Sequence, residues 1–548
     1  MIDRDLQSIQ DVRTLVTAAR RAADELRLFT QEQIDRIVEA MAQAGTRHAE
    51  ALAKLAVEET GMGRVESKIE KNLFATVHIY EAMKNMKTCG LVRKDPEKGI
   101  IEFAEPFGVV AGIIPTTNPT STALFKILIA IKTRNAIVLS PHPRAIRCIA
   151  ESAQILYEAG LRMGLPKGAI GCMTLCTLEA TNTLMTHRYT SLILATGGSA
   201  LVKAAYSSGK PAIGVGPGNA PVYVDRSAIV SNAATGIFTS ETFDWGTICA
   251  TEQSIVIHQD VKAALIDEFK KKKAYFLTPD QIRAVEKYAI KDNLMNPDLV
   301  GQSPQRIAEL CHIQVPADAT VLMAEYEGIG KQYPLSLEIL APLLTLYTAK
   351  DWQEGLKMSE AILDLGGRGH TFGIYAEDEN IIMEFARILP AYRILVNSPT
   401  AQGAIGLATN LFPSMTLGCG TYGNNITSDN VGPLNLLNWK KVAWITEAWK
   451  QKLHYVSGSK TSSGVADRVA LSATGSTPSV SISKQEVQRM IQSTMQEPSA
   501  PKEGGSDFGL KMNKQDISQL IQKKLGGSQT SSCPMAFRCM ETTCPNNK

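Results

Sequence analysis

Short β-branched runs that alternate with helical stretches predict an α/β protein built on parallel sheets. Two stretches carry that rhythm, Ile100 to Gly214 and about Ala228 to Pro413. A helical N-terminal segment precedes them, with apolar residues Leu15, Leu26, Ile34, Ile37 and Met41 at helical spacing between about Leu6 and Asn85. In the first α/β stretch the expected strands are Gly108 to Ile114, Ala136 to Leu139 and Ser191 to Leu194, and the expected helices Ser121–Lys132 and Ala145–Gly160. Strand, helix and strand in this order require crossover connections and hence parallel pairing. In the second, Thr251 to His258 reads as a strand and Val261 to Phe269 as a helix; Lys270 to Lys273 is a charge run of the kind that ends or solvates a helix.

The composition is that of an ordinary globular protein. The 548 residues include 41 Gly, 25 Pro and 10 Cys, which excludes a small disulfide scaffold, a collagenous chain and a wholly disordered one. At roughly 150 residues per domain the length suggests about three units. Lys+Arg at 57 against Asp+Glu at 54 gives no electrostatic case for nucleic acid or an anionic membrane. The longest apolar stretches, such as Phe107 to Pro115, fall short of the roughly 18 residues that span a bilayer. The polar start Met1-Ile-Asp-Arg-Asp-Leu and the irregular cysteines predict a soluble protein of a reducing compartment.

After Tyr455 the texture changes. Ser, Gly, Thr and Lys crowd a tail whose aromatics are Phe508 and Phe537, too few apolar groups for a further domain. Residues 456–479 and 496–507 read as linkers. Two amphipathic pieces are expected at 483–496 and 513–526: Val487, Met490, Ile491 and Met495 behind a Ser483/Glu486 capping box, then Ile517, Leu520, Ile521 and Leu525 behind Asn513 and Asp516. Ile482-Ser-Lys-Gln-Glu-Val and Met512-Asn-Lys-Gln-Asp-Ile repeat with an offset of about 30. Such short helices are marginal alone, so the pieces read as docking elements, with folding back onto the body as the alternative. Cys533, Cys539 and Cys544 match no common metal spacing, and no metal is expected.

Chemistry is concentrated in four segments. Thr239-Ser-Glu-Thr-Phe-Asp-Trp-Gly-Thr-Ile-Cys249-Ala-Thr-Glu sets a cysteine between a turn and an apolar strand, which by itself fits a packing residue as well as a nucleophile. With it stand Ile113-Ile-Pro115-Thr116-Thr-Asn118-Pro, Ala195-Thr196-Gly197-Gly198 and Leu337-Glu338-Ile-Leu-Ala-Pro. In this order they resemble the aldehyde dehydrogenase superfamily over about Leu15 to Tyr455. Glu105-Pro-Phe-Gly-Val-Val-Ala-Gly-Ile-Ile-Pro-Thr-Thr-Asn-Pro and Lys132-Thr-Arg-Asn-Ala-Ile-Val-Leu-Ser140-Pro-His142-Pro-Arg resemble its CoA-acylating branch.

The resemblance implies a Rossmann-type cofactor domain plus an α/β catalytic domain with oligomerisation strands and a flexible C-terminal tail. It divides the chain into 1–227 with 414–455, 228–413, and 456–548. It makes Cys249 the nucleophile that forms a thiohemiacetal and then a thioester, and Asn118 the amide of the oxyanion hole. Glu338 would anchor the nicotinamide ribose, and Thr196, Gly197 and Gly198 would face the dinucleotide phosphates. Pro115, Thr116, Ser140, His142 and Gly216 would complete the NAD site, with NADP as an alternative. His142 reads equally as a loop residue. His370, in Gly366-Gly-Arg-Gly-His-Thr, would take the CoA proton or hold a structural hydrogen bond. Cys172 and Cys176 read as packing residues.

One departure bears on the reaction class. Hydrolytic aldehyde dehydrogenases carry a water-activating Glu where this chain has Val215, in Gly214-Val-Gly216-Pro-Gly-Asn-Ala-Pro. Water, with a pKa near 15.7, needs such a base, whereas a thiol near 8.5 is partly ionised already. The expected product is therefore acyl-CoA, from a short aldehyde such as acetaldehyde or propionaldehyde. The two tail pieces resemble encapsulation peptides of bacterial microcompartments. This implies shell proteins as partners, an alcohol dehydrogenase and a phosphotransacylase alongside, and a homo-oligomer in a compartment lumen. The rivals are a dehydrogenase releasing free acid and a non-catalytic shell-binding scaffold.

Overall fold

A computed structural model describes residues 3–291 and 294–455. The expected tail pieces at 483–496 and 513–526, the linkers around them and the cluster Cys533, Cys539 and Cys544 lie outside the described residues.

The N-terminal segment forms α1 (Arg4–Leu26), α2 (Gln31–Arg47), α3 (Ala49–Thr60), α4 (Val65–Leu73) and α5 (Ile79–Met83). In α1, Val12, Val16, Ala19, Ala23 and Leu26 make one buried stripe; α2 starts at a Thr30/Gln33 capping box. α4 departs from the apolar-stripe rule, since the residues it buries are Ser67, Lys68, Lys71 and Asn72.

Seventeen strands follow among the described residues. β1 (Gly90–Asp95) and β2 (Ile100–Pro106) pair antiparallel, and β17 (Leu437–Ala443) closes that small sheet on the other edge of β2. A parallel sheet in the order β5-β4-β3-β6-β7 holds β3 (Val109–Ile114), β4 (Ala136–Pro141), β5 (Ile170–Cys172), β6 (Thr190–Thr196) and β7 (Ala212–Val215). β3 and β4 are buried at every position, as a sheet covered on both faces requires. The covering helix α6 (Pro119–Lys132) is buried all round; its Lys126 head donates to the Ile113 and Leu194 carbonyls and Lys132 pairs with Asp35.

The second parallel sheet runs β10-β13-β14-β9-β8-β15-β16. Its members are β8 (Ala220–Val224), β9 (Glu252–His258), β10 (Ala274–Phe276), β13 (Val321–Glu325), β14 (Leu343–Ala349), β15 (Gly369–Tyr375) and β16 (Ala391–Val396), with a short hairpin β11 (Ile290–Lys291) and β12 (Leu294–Met295) outside it. β8 already belongs to this sheet, so the division expected between 227 and 228 falls one strand later than the change of sheet. The physical reason is length: Gly216–Asn219 is all the chain between the end of β7 and the start of β8, too short to register as a linker. That connection sets the carboxyl ends of the first sheet against the amino ends of the second. Among the described residues no helix is long and apolar enough to cross a membrane.

Candidate active site

The chain delivers Cys249 to this junction through a strained turn. Asp244 (φ 52), Trp245 (φ 52) and Gly246 (φ 69) are successively left-handed, which costs about 1–3 kcal/mol at each non-glycine position. Buried ion pairs hold the turn: Asp244 Oδ2 lies 2.6 Å from Lys71 Nζ and 2.9 Å from Lys68 Nζ, and all three side chains are at most 2% exposed. Asp244 Oδ1 accepts from the Arg64 N–H at 2.7 Å. Gly63 makes room, because a Cβ there would sit 2.0 Å from that oxygen. Burial alone would raise the Asp244 carboxyl, but the two lysines outweigh it and hold it below the ordinary range.

Three neighbouring strands bring the reactive groups together. Cys249 precedes β9, Gly218 precedes β8 and His370 opens β15. Cys249 Sγ lies 3.2 Å from His370 Nε2, and His370 Nδ1 lies 2.9 Å from Thr371 Oγ1. Burial, with the nearby Arg393 guanidinium, keeps the imidazole well below its usual pKa. Burial, then the Glu338 carboxylate and the Cys419 thiol, push the Cys249 thiol up to about 12, against the pull of Arg393. Burial thus favours the neutral form of both groups, a thiol lying against an imidazole nitrogen.

Glu338, on the segment before β14, accepts from the Gly218 N–H at 2.8 Å, and burial raises its carboxyl to about 7. Asn118 occupies the N-cap position of α6. Its Nδ2 donates to the Thr247 carbonyl at 3.0 Å and to Thr117 Oγ1 at 3.2 Å, while its Oδ1 accepts from Lys71 Nζ at 2.6 Å. Cys249, His370, Glu338 and Asn118 therefore share one junction.

The residues expected around the dinucleotide lie along the carboxyl ends of four adjacent strands. Pro115 and Thr116 follow β3, Ser140 and His142 end β4, Thr196 to Gly198 end β6, and Gly216 follows β7. The strand order reverses between β3 and β6, which is where open α/β sheets bind ligands. Thr116 Oγ1 is buried there without a partner, and a Cβ at Gly198 or Gly216 would meet nothing within 4 Å. An orphaned hydroxyl and open space before two glycines fit a dinucleotide. Two residues point elsewhere: Ser140 Oγ is engaged with Thr181 at 3.0 Å, and the exposed His142 accepts from the Arg144 N–H in its own turn. Cys172 and Cys176 pack against separate apolar clusters, with thiols raised by burial.

Sequence reasoning passed over Lys68, Lys71, Asp244, Arg393 and Cys419. The lysines carried a signal, since three-residue spacing puts them on one helix face. Arg393 carried none; it stands opposite Thr371 across β15–β16 and donates to the Gly418 and Ser428 carbonyls.

Residues 5–284 match the model of the aldehyde dehydrogenase family. The chain is 44% identical over 441 residues to the bifunctional aldehyde-alcohol dehydrogenase AdhE of Escherichia coli, covering 80% of this chain and 50% of that protein; it spans about half the length of such curated relatives. An acetylating aldehyde dehydrogenase from Geobacillus thermoglucosidasius superposes with a TM-score of 0.81 at 50% identity, over 82% of this chain and 99% of that one. A propionaldehyde dehydrogenase from the Clostridium phytofermentans fucose utilisation bacterial microcompartment gives 0.72 at 28% identity, over 79% and 97%.

Proposed function

Because the chain belongs to the aldehyde dehydrogenase family, we propose that it oxidises a short aldehyde, acetaldehyde or propionaldehyde, to its CoA thioester with NAD, and runs the reverse reduction. The observation that carries this reading is the Cys249–His370 approach of 3.2 Å between two groups whose neutral forms burial favours. As Cys249 sulfur bonds to the aldehyde carbon, its proton passes to His370 Nε2. The new oxyanion takes hydrogen bonds from Asn118 Nδ2 and the Cys249 N–H. NAD, held by Glu338 and the strand ends that carry Thr116, Gly198 and Gly216, would accept the hydride lost from that carbon. The Cys249 thioester is then attacked by the CoA sulfur. The proton that His370 took from Cys249 leaves to solvent; then a C–S bond to CoA forms, the bond to Cys249 breaks, and the CoA thiol proton passes through His370 to the Cys249 sulfur. Val215, at the end of β7, offers no acid–base group to water, which favours thiolysis.

The test is the product. With acetaldehyde and NAD⁺, NADH and acetyl-CoA are expected in equal amounts and only when CoA is present; sustained turnover without CoA, yielding acetate, would overturn the reading.

A second element concerns location. The repeated amphipathic pieces at 483–496 and 513–526 support docking to microcompartment shell proteins, as does the likeness to an enzyme from such a compartment. A protein ending at Tyr455 should keep its activity and lose co-purification with shell proteins. Removing 508–526 alone should weaken that association in part, as expected for two weak tethered sites. Undiminished association of the truncated body would remove the docking role.

A further inference from the structure

We propose that Lys71 is a positioning residue of the oxyanion hole: its ammonium fixes which way the Asn118 carboxamide faces. This rests on the acyl-transfer reading above, and it concerns a residue that reading does not use.

A carboxamide can present its oxygen or its nitrogen to a site, and the two differ little in shape. Here the choice is forced from behind. Lys71 Nζ has three acceptors, Asn118 Oδ1 at 2.6 Å, Asp244 Oδ2 at 2.6 Å and Thr247 Oγ1 at 3.0 Å. Three acceptors use the three N–H groups of an ammonium, and a donor at Oδ1 leaves Nδ2 on the side of the Cys249 turn. There Nδ2 bonds to the carbonyl of Thr247, two residues before the nucleophile. Its second N–H makes the longer bond, 3.2 Å to Thr117 Oγ1, the partner an oxyanion would displace. A flipped amide would set an NH₂ group against the ammonium and an oxygen lone pair against the oxyanion.

The charge balance points the same way. Lys68 and Lys71 face the one carboxylate of Asp244, so the buried triad keeps one positive charge in excess. Lys68 also donates to the Thr117 carbonyl, and Lys71 is the member bonded to Asn118. Removing Lys71 leaves Lys68 and Asp244 as a matched pair, so its loss does not strand a buried charge, which is the usual reason such variants unfold. Burial, with Lys68 nearby, lowers the Lys71 ammonium to about 8 against the pull of Asp244.

Steady-state kinetics of the full-length protein, with acetaldehyde, NAD⁺ and CoA across pH 7 to 9, test this in a double-mutant cycle. Lys71→Met is expected to lower kcat about 30-fold or more, less than the 10²–10³ typical of removing an oxyanion donor itself, and to leave the KM for NAD⁺ within about twofold. In an Asn118→Ala background the same substitution should cost less than about threefold, because a residue that acts through Asn118 has nothing left to position. The wild-type kcat should fall as pH rises through about 8, and this fall should vanish in both variants. Lys71→Met should melt close to wild type, which reports an intact turn. A Lys71→Met kcat within threefold of wild type, or an equal loss in both backgrounds, would overturn the proposal while leaving the acyl-transfer reading intact. Wild-type protein that makes no NADH with CoA present would remove both.

Discussion

Alanine at Cys249 is expected to lower kcat/KM for CoA-dependent aldehyde oxidation by at least about a thousandfold, because Cys249 is the proposed acyl carrier and its sulfur is the thiol that faces His370 Nε2. The fold should survive the change. The substitution removes one side-chain hydrogen bond, that to His370 Nε2, and a small sulfur on a residue that is only partly buried. Melting of the variant should therefore stay close to wild type while turnover disappears. Mass spectrometry adds an independent check: wild-type protein mixed with acetyl-CoA should gain one acetyl group on Cys249, and the variant none. Turnover above about a tenth of wild type in the variant would remove Cys249 from the chemistry.

Alanine at Gly218 should be nearly as damaging, for a steric reason. A Cβ there would lie 1.8 Å from the Cys249 carbonyl oxygen, 2.8 Å from its carbon and 3.3 Å from His370 Cε1. To restore ordinary van der Waals spacing the Cys249 backbone must move by more than 1 Å, and misplacement on that scale costs about 10²-fold in rate. The same backbone carries the N–H proposed as an oxyanion donor, and the Gly218 N–H that tethers Glu338 moves with it. A loss of about 1–3 kcal/mol in stability should accompany the loss of rate, as for other overpacked sites. Gly216→Ala is the matched control, since a methyl group there meets open space; it should melt like wild type. Equal rates for wild type and Gly218→Ala would show that the close approach is not maintained in solution.

Much of the architecture was legible because it is written in local patterns. The apolar stripes of the N-terminal helices and the β-branched runs of both sheets are periodic signals, and α6 appears within two residues of its expected start. Cys249 and Asn118 became candidates through segments whose order along the chain resembles a family. His370 stayed open between two roles because its neighbour is 121 residues away, and it takes the pairing of β8 with both β15 and β9 to bring them together. Lys68 and Lys71 are harder still: exposed and buried lysines look alike in a sequence until the partner is known, and theirs is about 175 residues on. The change of sheet at Ala220 was missed because four residues carry it.

The small sheet has a consequence for biosynthesis. β17 pairs along the whole of β2, and Lys440 meets Glu105 across 335 residues of chain. At roughly 5–20 residues per second, a ribosome needs on the order of 15–70 s to supply that partner strand after β2 has emerged. Throughout that interval one edge of β2 is open, and an open edge invites pairing with any passing strand. Glu102 and Glu105, which meet Arg93 and Arg27 from earlier in the chain and later Lys441 and Lys440, keep that strand charged while it waits. The residues that finally clasp β17 thus serve first as its placeholders, keeping nascent chains apart until each has made its own.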